Sequence, residues 1–345
     1  MSAKIRMGVI GLGMGRGHVK GYQADPRAEV VALCDLDAAR LQAAAAEFKV
    51  PRAFTDAKEM FEKAGLDAVS VATPNYLHAP LAIEAFRRGL HVLCEKPMAM
   101  SVREARRMLD AARRAKRNLM INFSFRFNDQ SYALKQQVDA GALGEVYFAR
   151  SVWHRRRGIP GGSGWFGNKK LSGGGPLIDL GVHRLDLALW LMGYPEPITV
   201  SGSAYNEVAK RTIPKDKVYT VEDLACGLIR FANGATLILE ASWAANIAER
   251  EHMVTTLCGT RGGLVQKNVR GGYEFEAEVY TDESGHLFTK KLDWSTTMTP
   301  SAYSEFVSSI VEKRPPLATG EQGLKVMKVL EGIYRSAATG REVRY

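Results

Sequence analysis

Over the first third of the chain, short apolar runs alternate with amphipathic stretches. The runs cover residues 5–10, 30–34, 68–72, 90–94 and 119–121, and helical spacing fills residues 38–48, 57–64, 77–88 and 102–115. Continuous apolar strands separated by helices predict a parallel sheet covered on both faces, with right-handed crossovers. From residue 125 onward the pattern changes. It predicts a helix over 130–140, a strand over 145–153 and a long helix over 176–192. Extended segments follow at 199–208, 224–231, 235–242 and 253–258, and Asn233-Gly234 marks a hairpin turn between two of them. Helical patterns at 301–312 and 321–338 close the chain. The expected architecture is therefore α/β followed by α+β. A doubly wound parallel sheet occupies residues 1–124, and a large, mostly antiparallel sheet backed by helices occupies 125–345.

Composition narrows the class. Two domains suit 345 residues, and 46% hydrophobic residues is ordinary for a globular protein. No apolar run reaches the roughly 20 residues of a membrane helix, and the opening residues lack a secretory apolar core, so a cytoplasmic location is expected. Cys34, Cys94, Cys226 and Cys258 are scattered singly, with no CxxC pair, which predicts reduced thiols and no zinc site. The formal charge is +10. Much of the excess lies between residues 103 and 117, interleaved with Ala, Met and Leu as on the solvated face of an amphipathic helix. No nucleic-acid motif accompanies it, so neither nucleic acid nor membrane is an expected partner.

The first strand leads into Gly11-Leu12-Gly13-Met14-Gly15-Arg16-Gly17. Glycines let a backbone turn tightly and approach a pyrophosphate, and the following helix offers unpaired amides. Arg16 stands where a third glycine is usual, so Gly15 or Gly17 serves in a rearranged turn. Asp35 ends the second strand, where a carboxylate accepts from ribose hydroxyls and repels a 2′-phosphate. That favours NAD over NADP in a Rossmann domain. Asp37 is the better helix cap.

Three further motifs carry chemistry. Thr73-Pro74-Asn75-Tyr76-Leu77-His78 and Glu95-Lys96-Pro97 each end an apolar strand, where doubly wound sheets bind ligands. Gly173-Gly174-Gly175-Pro176 opens the helix bearing Asp179, His183 and Asp186; Asp179 and His183, four residues apart, share a face. Together these motifs resemble the Gfo/Idh/MocA oxidoreductase family over essentially the whole chain. The resemblance implies an NAD-dependent enzyme moving a hydride between nicotinamide and a secondary hydroxyl or carbonyl of a sugar, polyol or related small molecule. It implies Lys96, Asp179 and His183 as catalytic residues.

In that chemistry His183 is the general acid/base, because imidazole titrates near operating pH. Lys96 stabilises negative charge on the substrate oxygen. Asp179 orients His183 or binds a neighbouring hydroxyl. The expected cofactor site comprises Gly11, Leu12, Gly13, Met14, Gly15, Asp35, Thr73, Pro74, Asn75, His78, Glu95 and Lys96. The expected substrate site adds Arg126, Trp153, Arg156, Trp165 and Phe166 to Lys96, Asp179 and His183. Its aromatics either stack on a sugar ring or pack in a core, and its arginines either bind an anion or lie solvated. No metal is expected, and Asp186 is read as a structural partner. The resemblance also implies a homodimer or homotetramer. Two rival functions remain: a glycoside hydrolase or lyase that oxidises its substrate transiently with tightly held NAD, and a non-catalytic NAD-sensing regulator.

Overall fold

The computed structural model describes residues 4–160, 164–296 and 298–345. The first three residues, part of the opening segment read for a secretory core, lie outside these. The chain forms two compact units: Met1–Asn122 with Pro300–Met327, and Phe123–Thr299 with Lys328–Tyr345.

The first unit runs β1 (Ile5–Ile10), α1 (Gly15–Gln23), β2 (Ala28–Cys34), α2 (Ala38–Phe48), β3 (Arg52–Phe54), α3 (Ala57–Lys63), β4 (Ala68–Val71), α4 (His78–Arg87), β5 (His91–Glu95), α5 (Val102–Ala115) and β6 (Leu119–Asn122). Its six strands lie in the order β3-β2-β1-β4-β5-β6, and every pairing is parallel. The strand order reverses between β1 and β4, the switch point where such sheets bind ligands at their carboxyl ends. Helices begin where the sequence supplies caps. Asp37 accepts from the Arg40 amide, Asp56 from Lys58 and Ser101 from Glu104. In α5, Ala105, Met108, Leu109, Ala111 and Ala112 are buried, so its arginines form the solvated face the pattern predicts. The three residues of β3, with an exposed arginine among them, are too few for a periodic signal.

The second unit contains α6 (Asp129–Asp139), β7 (Val146–Arg155), α7 (Lys169–Ser172), α8 (Val182–Leu191), β8 (Pro197–Tyr205), α9 (Ala209–Thr212), β9 (Leu224–Phe231), β10 (Thr236–Ser242), β11 (Glu251–Gly259), β12 (Gly262–Asn268), β13 (Phe275–Glu283) and β14 (His286–Lys291). Two helices follow: α10 (Ala302–Val311), which belongs to the first unit, and α11 (Gly320–Thr339), which starts there and ends in the second; β15 (Val343–Arg344) closes the chain. The nine-stranded sheet has the order β14-β13-β12-β11-β7-β10-β9-β8-β15. All its pairs are antiparallel except β7 with β10. Along β9, β10 and β11 buried and half-buried residues alternate, so one face is core. Helix α8 packs on β7 and β11, and α6 on β12 and β13.

Two expectations need correction. The helix predicted over 176–192 is not uniform: Leu177–Gly181 forms a π turn, and only Val182–Leu191 is α-helical. Glu222 accounts for much of this start. Its carboxylate accepts from the amides of Gly175 and Leu177 at 3.0 and 3.2 Å and from the Tyr334 hydroxyl at 2.8 Å. Strands β12 to β14 carried no usable pattern: glycines interrupt residues 262–285, and all of β14 is exposed. Among the described residues, no helix is long and apolar enough to cross a membrane.

Candidate active site

At the carboxyl edge of the parallel sheet, the site is built from backbone. Gly11 has φ +86°, and a β-carbon there would lie 2.5 Å from the Ala72 carbonyl oxygen, so only glycine fits. Gly15 opens α1; its β-carbon would sit 2.8 Å from Val9, so Gly15 provides the close helix–strand packing of the missing third glycine. Arg16 instead turns outward to an ion pair with Glu47. Around Gly13 a β-carbon would meet nothing within 4 Å, leaving open backbone. No side chain caps α1, and no acidic residue occupies its first turn. The Thr73 hydroxyl oxygen on the neighbouring strand end is buried without a hydrogen-bond partner. An open glycine turn, an uncapped helix start and a buried orphan hydroxyl fit a dinucleotide pyrophosphate.

Asp35 is buried and ties this turn together. Its Oδ2 accepts from the Leu12 amide at 2.7 Å, and its Oδ1 from the Asp37 amide at 2.9 Å. Asn75 lies buried at the start of a 3₁₀ turn, Asn75–Leu77, ahead of α4. His78 is fully buried, with Nδ1 2.7 Å from the Pro97 carbonyl and Nε2 2.8 Å from that of Thr73. It braces the two loops that carry Asn75 and Lys96. Burial pushes its pKa down. Placed there, it holds the two loops together.

Glu95 ends β5. Its Oε1 accepts from His18 Nε2 at 2.9 Å and from the Asn122 amide group at 2.5 Å. Burial alone would raise its pKa, but these donors and the Lys96 charge hold the carboxyl below its ordinary value. His18 is packed at 4.9 Å against the ring of Tyr303, from α10, which also fills the space left by Gly21. The sequence holds no signal for that distant support. Lys96 follows Glu95 and is joined to Pro97 by a cis peptide bond.

In the second unit the candidate residues are held by side chains. Trp153, Leu180, Val221, Ala241, Trp243 and Met253 form a buried cluster, flanked by half-buried Phe125, Phe166, Tyr219 and Phe275. Asp179 lies on the π turn, and the fully buried Trp243 donates its indole N–H to Asp179 Oδ2 at 3.0 Å. The His183 ring stands 5.2 Å from Phe125 and 5.8 Å from Trp153. Trp153 is buried and donates to Glu251 at 2.7 Å, so it is a wall of the cluster. Trp165 stacks on Phe166 at 4.0 Å, and Phe166 meets Trp243 edge-on at 6.5 Å. The stack thus leads to the tryptophan that holds Asp179. Residues 161–163 of the preceding glycine-rich loop lie outside the described residues.

The two arginines expected in the substrate site are placed elsewhere. Arg126 is fully buried; its guanidinium makes a bidentate contact with Asp186, at 2.9 Å from Nε, and also meets the Tyr194 hydroxyl. Coulombic attraction to Asp186 outweighs burial and raises its pKa. Arg156 is exposed, its Nη1 3.3 Å from the Ala248 carbonyl. Strand alternation puts Arg155, two residues on, on the face of Trp153. Arg155 pairs with Glu251 at 3.0 Å. Burial opposes its charge, but Glu251, Tyr273 and Asp179 outweigh it. Period-two reading of this strand could have found Arg155; nothing local points to Trp243, Glu251 or Glu222. Among the described residues, no group of three His, Cys, Asp or Glu side chains could hold a metal, and all four cysteines are free.

Comparison with known proteins places these features. Residues 5–123 match the model of the oxidoreductase family with an NAD-binding Rossmann fold, and residues 132–265 that of the GFO/IDH/MocA C-terminal domain. The chain is 34% identical to D-glucoside 3-dehydrogenase of Escherichia coli K12, over 99% of this chain and 98% of that one. It superposes on aldose-aldose oxidoreductase of Caulobacter crescentus, crystallised with glycerol, with a TM-score of 0.84 and 26% identity, covering 99% of this chain and 100% of that chain. On levoglucosan dehydrogenase with NADH and levoglucosan the TM-score is 0.86, at 25% identity and 99% coverage of both chains. The glycine turn that only Gly11 can make, the strand-end Glu95-Lys96 and the Asp179 helix all lie within the two matched regions, and the chain belongs to the Gfo/Idh/MocA family of NAD-dependent oxidoreductases.

Proposed function

We propose that this enzyme oxidises a ring hydroxyl of a sugar, glycoside or polyol, or reduces the corresponding ketone. The observation that carries the reading is Asp179, held by Trp243 among aromatic side chains beside His183, in a chain 34% identical end to end to a D-glucoside 3-dehydrogenase. Carboxylates that accept hydroxyl hydrogen bonds, set beside apolar rings, suit a polyhydroxylated ring with one apolar face.

NAD, when bound, supplies the hydride acceptor and donor. The glycine turn Gly11, Leu12, Gly13, Met14 and Gly15 takes its pyrophosphate, and Asp35 keeps lone pairs for the adenosine ribose. Thr73, Pro74, Asn75 and Glu95 would hold the dinucleotide from the neighbouring strand ends, with His78 bracing their loops. Lys96 donates a hydrogen bond to the reacting oxygen and stabilises negative charge that grows there. His183 takes the hydroxyl proton in oxidation and returns it in reduction. Asp179 accepts from a neighbouring hydroxyl, so that the carbinol carbon is oriented. Trp165 and Phe166 offer the stacking surface. Residues 1–124 serve the cofactor, with residues 300–327 packed in the same unit as support, and the rest of 125–345 serves the substrate. The half-buried outer face of the nine-stranded sheet suits a dimer or tetramer, and four free thiols suit the cytoplasm.

A panel of glucosides, free sugars, polyols and hydroxy acids, assayed with NAD and NADP, tests the reading. The expected result is NADH formation with a ring-hydroxyl substrate. Glycoside cleavage without net NADH would favour a hydrolase or lyase, and absence of turnover on every class would favour a regulator. Lys96→Ala and His183→Ala should retain NAD binding and lose on the order of 10²–10⁴ in kcat. Near-normal rates in either would overturn its role.

A further inference from the structure

Arg184, beside His183, is fully buried. Its Nη1 donates to Gln266 Oε1 at 2.8 Å and lies 3.4 Å from the Thr255 hydroxyl, while Nε and Nη2 have no hydrogen-bond partner. Three rings surround the cation: Phe125 at 4.7 Å, Phe275 at 5.4 Å and Trp153 at 5.6 Å from ring centre to Cζ. Phe125 and Trp153 are also the rings against which His183 packs. The imidazole and the guanidinium therefore share two walls and lie within two ring contacts of each other.

Most of the other cations around them are paired. On the same helix Asp186 pairs with Arg126 from residues 124–127. On the helix-facing side of the sheet, Arg155 of β7 pairs with Glu251 of β11. Lys135 of α6 pairs with Asp139, while Asp129 lies exposed at the start of that helix. Arg150 and His154 of β7 pair with Glu240 of β10, and strand alternation puts them and His252 on the opposite face. Asp179, on the π turn, is held by Trp243 and feels Arg155. Among these cations Arg184 meets no carboxylate. Burial lowers its pKa to about 9, so it remains charged at neutral pH. A buried cation without a counterion is costly, and an apolar side chain would fill the same three-ring box.

We propose that Arg184 is an electrostatic positioning residue: its uncompensated cation, caged by three aromatic rings beside His183, disfavours protonation of that imidazole and keeps it ready to accept the substrate proton. Cation–π contacts stabilise the guanidinium without cancelling its field, which a paired carboxylate would do. The consequence for catalysis rests on the proposed role of His183; the titration does not.

The test is an NMR titration of His183 in the cofactor-free, full-length protein, its signal assigned by loss in His183→Gln. In the native protein it should titrate below the unperturbed value of about 6.5. Arg184→Met should raise it by about one unit, and Arg184→Lys should leave it near native, since an unpaired buried charge across a shared ring in a low-dielectric site shifts a neighbour by that order. No rise in Arg184→Met, or an equal rise in Arg184→Lys, would overturn the inference. If Arg184→Met fails to fold, the native titration decides: a value at or above about 6.5 overturns it. The acid limb of kcat/KM should move with the NMR value. A shift seen by NMR with no matching limb would support the electrostatic role and overturn His183 as the proton acceptor.

Discussion

The two units solve the problem of holding a ligand by different means. The nucleotide end is made of backbone: a glycine in a left-handed conformation, an uncapped helix start, and a carboxylate that ties the Leu12 amide of the turn to the Asp37 amide at the start of α2. The proposed substrate end is made of large side chains held by one another, with indole N–H groups on Asp179 and Glu251. Backbone geometry suits a partner that never changes, the dinucleotide. Side-chain walls can be replaced singly without unfolding the frame, which suits a site whose substrate differs among relatives.

That contrast predicts abrupt failure at one end and graded failure at the other. Gly11→Ala should have the largest effect. Strain at positive φ and the clash with Ala72 together amount to about 3 kcal/mol, seen as a lowered melting temperature and lost NAD binding by calorimetry. A variant that bound NAD normally would break the contrast. Asp35→Ala removes the acceptor for Leu12 and the repulsion of a 2′-phosphate, so the ratio of NAD to NADP affinity should fall about tenfold or more. Trp243→Phe keeps the ring and removes the donor to Asp179. It should lower kcat by about tenfold, the scale of one hydrogen bond to a charged group, with the fold intact by circular dichroism. An unchanged kcat would mean that Asp179 needs no such support.

The smallest effect concerns acid stability. Glu95 is held below its ordinary pKa in the folded state. A lowered carboxyl contributes stability that is complete above its unfolded value, about 4.3, and is lost as pH falls through the folded value. The melting-temperature gap between the native protein and Glu95→Gln should therefore narrow as pH drops from 6 towards 3. A constant gap would show that the contacts to His18 and Asn122 carry no charge-dependent stability.

The local chemistry of the first unit was legible because it is short-range. Periodicity marked five of its six strands, Asp37 marked a cap, and the glycines marked the turn. The substituted position in the glycine pattern was readable only in part, since the packing of Gly15 on Val9 is a contact between elements. In the second unit, Asp179 and His183 stood out by spacing, whereas the π turn that carries Asp179 depends on Glu222, more than 40 residues on. Arg126 and Arg184 look alike as letters, yet both are fully buried, one against Asp186 and the other among three rings.

By itself the sequence determined the element types, the parallel and mostly antiparallel sheets, the nucleotide turn and the candidate catalytic side chains, because these follow from propensity and from spacing within one element. Tertiary structure alone decided which side chains from different elements meet, which charges are neutralised and which polar groups are held. Those properties depend on burial and distance between elements far apart in the chain, and no local pattern encodes them.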